Sequence, residues 1–436
     1  MNFKSLLNSD FRNTAINQLW RLFSGPMMLV LLPLFLTAET QGYWYTFISM
    51  AALAIFADMG FSSILLMFSA HEFSHLKFNH DRTLAGDDYH LTRLATLWRF
   101  SLKWSAIMAG AVFPLVLIVG YIILDEKSSN LNWKLPWVIY GIASVLVFCN
   151  SMLLSFIEGC NSVGDAQKIR LLTSVITVTI TILLLVLKSN LYALSLALLV
   201  GALSGSIMIA FQYKYLFLQL FRLAQNQTHP WWQEIMPLLW RYAASWISGY
   251  FIFSIFTPLA FHYYGATQAG QVGLSMSACM AIFGIANIWI TIITPKISMY
   301  IAQKEHIPLN NTFRLNLLMS AITYIAGFSF LLFLLYLLKD CLSFTNRLLP
   351  LKPLLMLGTG WFFQILINSM AIYIRAHKKE PLVLASMLNG LYVAATTLLC
   401  VNYLPFDYLF LGFISAYFIT LPWTFYIFKG YKRIHA

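Results

Sequence analysis

The chain is a succession of long apolar runs separated by short polar segments. Twelve runs reach the roughly 20 residues that an α-helix needs to cross a bilayer. Their approximate bounds are 13–36, 42–69, 100–124, 135–157, 168–187, 191–215, 236–262, 268–294, 315–338, 349–374, 381–402 and 405–429. The pattern predicts an all-α polytopic membrane protein with about twelve transmembrane helices.

Composition supports this interpretation and excludes a soluble domain. Of the 436 residues, 59% are hydrophobic and only 10% are charged, whereas about a quarter of the residues of a soluble domain are charged. Lipid must therefore cover much of the surface. The net charge of +12 does not indicate nucleic-acid binding, because no compact basic domain exists.

The basic residues instead indicate how the chain is oriented. If the N-terminus is cytoplasmic, 20 of the 28 Lys and Arg residues fall in cytoplasmic loops and span ends, and six fall on the other side. Such an excess is typical of cytoplasmic loops. We therefore expect a multi-pass protein with both termini in the cytoplasm.

A weak internal repeat relates the two halves of the sequence. Glu39-Thr40-Gln41-Gly42 opens the second apolar run, and Ala266-Thr267-Gln268-Ala269-Gly270 opens the eighth. Ile157-Glu158-Gly159 after the fourth run similarly corresponds to Ile374-Arg375-Ala376 after the tenth. Repeated halves are typical of secondary transporters.

The repeat predicts two six-helix pseudo-repeat lobes around a central cavity. We place the N-terminal lobe at 1–215, an inter-lobe linker at 216–235, and the C-terminal lobe at 236–436. The short loops leave no room for a soluble catalytic domain on either side of the membrane.

Three charged residues inside apolar runs are candidates for substrate binding. Arg21 and Arg241 lie in the first and seventh runs, one in each half of the sequence, and Asp58 lies in the second. Intramembrane charges are costly and often functional, and a planar guanidinium suits a diphosphate. Two alternatives stay open: the arginines anchor the helices at the inner interface, or Arg21 and Asp58 form a structural ion pair.

One short motif suggests different chemistry. His71-Glu72-Phe73-Ser74-His75 matches the HExxH zinc-protease pattern, in which two histidines lie one turn apart on a helix. We expect it at the exposed cytoplasmic end of the second span, and no third ligand is evident among the acids of the loop that follows. The loop residues His80 and His90 are expected to be solvated.

Other features of the chain indicate no catalytic centre. The five cysteines lie mostly in apolar runs and contain no CxxC pair, which favours neither a disulfide framework nor a metal cluster. Gly86-Asp87-Asp88 would suit a metal–nucleotide-sugar site only within an α/β domain, and none is predicted. We therefore expect no catalytic residue, metal or cofactor, and no enzyme activity.

Several of these segments carry a resemblance to a known superfamily. They are the run from Gly42 through Phe61, the Glu158-Gly159-Cys160-Asn161 turn, and the segment from Ile374 to Pro381. Together they resemble the multidrug/oligosaccharidyl-lipid/polysaccharide flippase superfamily, and within it the O-antigen and capsular polysaccharide flippases. The resemblance implies a bacterial inner-membrane protein whose central cavity opens alternately to each side. The implied substrate is an oligosaccharide linked to undecaprenyl diphosphate.

The sequence thus favours a flippase that translocates a lipid-diphosphate-linked oligosaccharide for surface polysaccharide (lipopolysaccharide) biosynthesis. The expected partners are this substrate, membrane lipids and other polysaccharide assembly proteins, with no nucleic acid. A multidrug or cation antiporter of the same superfamily is the nearest alternative and would need an acid in the cavity, for which Asp58 is the clear candidate. A polysaccharide polymerase or lipid-dependent glycosyltransferase is the alternative from another class, but such enzymes usually carry a large outer loop.

Overall fold

A computed structural model describes residues 9–125, 131–225, 227–303, 305–337, 345–377 and 381–434. The helices are α1 (Ser9–Phe35), α2 (Ala38–Ala51), α3 (Ile55–Asp58), α4 (Phe61–Phe73), α5 (Asp88–Asp125), α6 (Lys134–Gly159), α7 (Val163–Val186), α8 (Tyr192–Ala224), α9 (Trp231–Phe253), α10 (Phe256–Tyr264), α11 (Ala266–Gln303), α12 (His306–Leu337), α13 (Leu351–Arg375), α14 (Val383–Tyr403) and α15 (Leu411–Ile434). Strands β1 (Leu76–Phe78) and β2 (Leu84–Gly86) form an antiparallel hairpin.

Ten helices in the described part are long and apolar enough to cross a membrane, and the number rises to twelve if each of two bent pairs is one span. The bent pairs are Ala38–Asp58 with Phe61–Phe73, at 43°, and Trp231–Phe253 with Phe256–Tyr264, at 41°. They coincide with the second and seventh apolar runs. The predicted all-α polytopic fold with about twelve spans is confirmed.

Contacts along the chain group the helices into two compact units. Unit 1 comprises 1–24 and 50–247, and unit 2 comprises 25–49 and 248–436. Each unit therefore includes residues from both halves of the sequence. The lobes at 1–215 and 236–436 stay a prediction about the sequence repeat. Most of the expected linker 216–235 is helical, because α8 continues to Ala224 and α9 begins at Trp231.

Unit 1 is held by aromatic packing and by satisfied polar groups between helices. Trp98 of α5 stacks on Phe217 of α8, with ring centroids 4.5 Å apart. The Asn150 amide of α6 donates to the carbonyl oxygen of Ala202 on α8 at 2.8 Å. Close packing and interhelical hydrogen bonds are what hold membrane helices together, because lipid provides no hydrophobic drive for their association.

In unit 2 the two copies of the repeat motif contact each other. A methyl group at Gly42 would overlap the carbonyl oxygen of Ala266, and one at Gly270 would lie 3.0 Å from the backbone nitrogen of Gly42. The Gln41 side chain also donates to the carbonyl oxygen of Gly270 at 3.0 Å. The starts of α2 and α11 therefore cross at glycine, where the missing Cβ permits close backbone approach.

The segment between the second and third apolar runs, at about 70–99, contains ordered secondary structure. The β1–β2 hairpin occupies its centre and α5 begins at Asp88. Gln219 of α8 clamps the hairpin: its amide donates to the Leu84 carbonyl oxygen at 2.8 Å, and its Oε1 accepts from the Leu84 amide at 2.7 Å. At the hairpin tip, the Thr83 hydroxyl and amide both donate to Asp81, and the hydroxyl bond lowers the pKa of that carboxyl.

Candidate functional site

Arg21 and the neighbouring exposed apolar residues of α1 lie on opposite faces of this helix. It is 12 residues from the start of the helix, or about 18 Å along the axis, and its side chain is exposed beside that of Gln18. The exposed apolar residues Leu19 and Phe23 lie two positions away on either side, which places them on the opposite face of a helix. The face that suits lipid is therefore opposite Arg21.

Hydrogen bonds to α7 fix the rotation of α1 about its axis. The Asn17 amide donates to Gln167 Oε1 at 2.8 Å, and the Trp20 indole donates to Ser174 Oγ at 2.9 Å. Both α1 residues lie within about one turn of Arg21, so the direction of the guanidinium is constrained by the fold.

Asp58 stabilises a break in its helix. Its Oδ1 accepts from the Ser62 amide at 3.0 Å and its Oδ2 accepts from the Ser62 hydroxyl at 2.9 Å. Met59 and Gly60 lie between α3 and α4 and have φ values of +47° and +77°. Because these two residues adopt the left-handed conformation, α3 ends and α4 begins in a new direction. The carboxylate satisfies an amide that the helix start leaves without a partner.

Arg241 lies on α9 next to the residue that packs against the break between α3 and α4. Its side chain is exposed, and its guanidinium carbon is 5.6 Å from the centre of the Trp240 ring. The next residue, Tyr242, packs so closely that a methyl group at Gly60 would lie 2.9 Å from its Cβ. The left-handed conformation of Gly60 and its close approach to Tyr242 both explain why glycine occupies this position.

The structure places all three predicted site residues in unit 1. Arg21 and Arg241 therefore do not divide between the two units as they divide between the sequence halves. Among the described residues no ion pair joins Arg21 to Asp58, whose carboxylate is engaged by Ser62. The predicted structural pair is wrong, because the broken helix uses the acid as a cap.

Acidic side chains of unit 1 form ion pairs, whereas Arg21 and Arg241 do not in the described part of the chain. Five carboxylates on the described unit 1 helices pair with cationic side chains: Glu72 and Glu234 with Arg93, Asp125 with Lys134, Glu158 with Arg170, and Asp165 with Arg82. Within the described part of the chain, Arg21 and Arg241 have no acidic partner. Among the described residues on the spanning helices of unit 1, Arg21 and Arg241 therefore lack an acidic partner, whereas several acids of the unit are paired with cations.

Sequence reasoning missed a cluster of charged side chains that joins α4, α5 and α9. Arg93 donates to Glu72 at 2.8 Å and to Glu234 at 3.1 Å. His90 Nδ1 lies 2.8 Å from Glu72, and His229 Nε2 lies 2.6 Å from Glu234. The Glu72 side chain is only 2% exposed. Glu72 and Glu234 lie 21 and 141 residues from Arg93 in the sequence, so no local motif indicates the cluster.

This cluster corrects the interpretation of the HExxH motif. Helix α4 ends at Phe73, so His71 and His75 do not form one helical face. Glu72 is buried rather than exposed, and His90 contacts it instead of being solvated. Among the described residues, no group of three His, Cys, Asp or Glu is arranged to hold a metal ion.

The turn at 158–161, which contributes to the family resemblance, makes contacts that hold two helices together. Glu158 accepts from Gln167 at 2.9 Å and pairs with Arg170, which ties the end of α6 to α7. Asn161, in the connecting turn, has a φ of +55°. Residues 378–380 of the last segment lie outside the described residues.

No protein-family profile matches the chain, and no curated protein matches it in sequence. Solved structures do match its fold. A multidrug resistance MATE family transporter of the MOP superfamily, in an inward-facing conformation, superposes with a TM-score of 0.64 at 13% identity, covering 97% of this chain and all of that one. The MATE multidrug transporter DinF-BH, solved in complex with a ligand, gives a TM-score of 0.60 at 13% identity over 97% of this chain and 95% of that one.

A third match is a MOP superfamily transporter from Pyrococcus furiosus whose binding pocket is described as having reverse polarity, suggesting a different function. Its TM-score is 0.59 at 12% identity, over 98% of this chain and 94% of that one. The chain therefore has the fold of these solved MOP superfamily transporters, with ten to twelve candidate spans in its described part. The O-antigen flippase branch stays a prediction.

Proposed function

We propose that the chain is a transporter that moves a lipid-diphosphate-linked oligosaccharide across the bacterial inner membrane by alternating access. The proposal rests on which charged side chains of unit 1 form ion pairs and which do not. Arg21 and Arg241 are exposed on spanning helices without an acidic partner in the described residues, while neighbouring acids are engaged. Such a surface favours an anionic ligand, and the diphosphate is the anionic part of this substrate.

Transport needs no covalent chemistry. A polar headgroup must cross the hydrocarbon while its lipid tail stays in the bilayer, and positioned cations with a change of access are sufficient. The fold likeness to MOP superfamily transporters supports this role over a polymerase or glycosyltransferase. Both termini are proposed to lie in the cytoplasm, as the distribution of Lys and Arg favours.

The second candidate is a multidrug or cation antiporter. It is favoured by the matches to MATE multidrug transporters. It requires an intramembrane acid that exchanges cations or protons, and Asp58 is the candidate. Asp58 already accepts two hydrogen bonds from Ser62, so cation binding would have to compete with its capping role.

Substitutions at Arg21, Arg241 and Asp58 discriminate between the two functions. We expect the double variant Arg21→Ala, Arg241→Ala to lose surface polysaccharide display in a strain that depends on the chain. Arg21→Lys should impair display less than Arg21→Ala, because it keeps the charge but loses the planar fork. Asp58→Asn should have a milder effect, since an amide oxygen still accepts from Ser62.

Membrane abundance and resistance to cationic dyes are measured in parallel for every variant. Full display from the double arginine variant at normal abundance would refute substrate binding by these residues. Loss of dye resistance in Asp58→Asn, with display unchanged, would select the antiporter.

A further inference from the structure

Helix α11 in unit 2 has two different exposed faces. Residues Ile285, Ile292 and Met299 form an apolar exposed face, and the Ile292 side chain is 69% exposed. The core-facing side is apolar as well, with Ile290 and Ile297 fully buried. Since lipid covers exposed apolar surface, the first face suits contact with lipid.

The other exposed face of α11 is polar. At 3.6 residues per turn, positions 287, 291, 294 and 298 lie within about 60° of one another. They are Asn287, Thr291, Thr294 and Ser298, all exposed or half-buried. A continuous polar stripe on a spanning helix is costly next to lipid and usually faces water or a ligand.

Helix α13 extends this polar surface. Asn368 donates to Asn287 Oδ1 at 2.8 Å, and Gln364, one turn earlier, accepts from the Tyr417 hydroxyl at 3.0 Å. Within the described residues, the Gln364 amide nitrogen and Asn368 Oδ1 have no hydrogen-bond partner. We call the surface formed by Asn287, Thr291, Thr294, Ser298, Gln364 and Asn368 the α11–α13 polar stripe.

Two further observations indicate that a ligand completes this surface. Trp361, one turn before Gln364, is 3% exposed, and its indole N–H is buried without a hydrogen-bond partner. Its ring lies 5.1 Å from that of Phe283, in the same seam between α11 and α13. A Cβ added at Gly284, one turn before the stripe begins, would meet no atom within 4 Å, so there is open space in front of this face.

The chemistry of the stripe selects a neutral, hydroxyl-rich ligand. The Thr291, Thr294 and Ser298 hydroxyls donate to carbonyl oxygens four residues earlier, at 3.0 to 3.2 Å. The Thr291 oxygen also accepts from the Asn287 amide at 3.4 Å, and the Thr294 and Ser298 oxygens remain as acceptors. The free amide of Gln364 supplies donors. The six residues carry no charge, and mixed donors and acceptors match sugar hydroxyls.

We infer that the α11–α13 polar stripe binds the oligosaccharide portion of the transported molecule, an inference that rests on the proposed function. The stripe carries no charge, so its proposed contribution is recognition of neutral sugar rather than of the diphosphate. Its ligand class is therefore a polyhydroxylated chain rather than a cation or an anion.

The first experiment tests whether the stripe faces water. Single cysteines replace Thr291 and Ser298 on the stripe, and Ile292 and Met299 on the apolar face serve as matched controls. A membrane-impermeant maleimide should label Thr291→Cys and Ser298→Cys several-fold faster than Ile292→Cys and Met299→Cys, after subtraction of labelling at the native cysteines. Equal labelling of both faces would overturn the inference.

The second experiment tests the ligand on the purified full chain in lipid nanodiscs. One probe is the lipid-linked oligosaccharide pool extracted from membranes of a strain lacking this chain, and the other is undecaprenyl diphosphate without sugar. The first should protect Thr291→Cys from the maleimide and the second should not. Gly284→Leu should weaken binding of the first probe alone, whereas Gly430→Leu, at an equally open glycine on α15, should not.

The outcomes separate this inference from the proposed function. If both probes bind equally well and neither protects the stripe, the transporter proposal stands and the stripe inference is refuted. If the unsubstituted chain binds neither probe, the proposed function fails and the stripe inference fails with it.

Discussion

Replacement of Arg93 by Leu should destabilise unit 1 more than any other single loss of charge in its described residues. The Arg93 guanidinium contacts Glu72 at 2.8 Å, Glu234 at 3.1 Å and the Trp231 ring at 4.7 Å. It therefore connects α4, α5 and the start of α9. Leu keeps much of the side-chain volume, but among the described residues it leaves Glu72, which is 2% exposed, with His90 as its remaining ion-pair partner.

The magnitude follows from the burial of each partner. A buried carboxylate that loses its cation costs about 3 kcal/mol. The Glu234 contact adds about 0.5 kcal/mol, because this carboxylate is 36% exposed and screened by solvent. The contact with Trp231 adds about 1 kcal/mol. Such terms overlap, and a loss of about 3 kcal/mol in a unit of this size lowers the melting temperature by roughly 10 °C.

The assay is thermal unfolding of the purified chain in detergent, followed by tryptophan fluorescence. Arg99→Leu is the matched control on the same helix, since Arg99 donates only to the Ala224 and Gln225 carbonyl oxygens in the described part of the chain. That bond is worth about 1 kcal/mol, so the control should fall by about a third as much. An Arg93→Leu variant that melts no lower than the control would refute a structural role for the cluster.

Three other predictions follow from the topology, the helix break and the hairpin. Reporter fusions at Asp87 should read cytoplasmic and those at Asp407 periplasmic, and the same signal from both would contradict the helix count. Gly60→Ala should lower the melting temperature by more than alanine does at helical glycines with open surroundings, because its φ of +77° costs about 1–2 kcal/mol for a residue with a Cβ. The lowered pKa of Asp81 means that its hydrogen bonds stabilise the hairpin above the ordinary carboxyl pKa of about 3.9 and are lost as the pH falls through the lowered value. Protection of the Thr83 amide from hydrogen exchange should therefore persist at neutral pH and decline only in strong acid, and a decline near pH 6 would assign protection to another group.

The number and position of the spans were predictable because lipid imposes a length and a composition on each helix. The breaks within two of them were not. The second apolar run continues without interruption in hydropathy, and only Gly60 following Asp58 marks the place where the helix changes direction. An acid in an apolar run suggests an ion pair or a ligand, yet here it caps the helix that follows.

The candidate site was predictable residue by residue but not in its grouping. Arg21 and Arg241 are identifiable from sequence as charges inside apolar runs. Their location in one compact unit depends on where α1 and α9 pack, which the sequence repeat does not reveal. The cluster around Arg93 is a tertiary feature, because residues of α4, α5 and α9 meet only in the folded chain.

The composition of the compact units has a consequence for how the chain is made. Residues 25–49 belong to unit 2, and the start of α9 up to residue 247 belongs to unit 1. Synthesis proceeds from the N-terminus, so unit 1 stays incomplete until residue 247 has been added. Until then the later part of α1 and most of α2 lack the helices of unit 2 against which they pack. A product truncated near residue 225 would therefore contain neither unit in complete form.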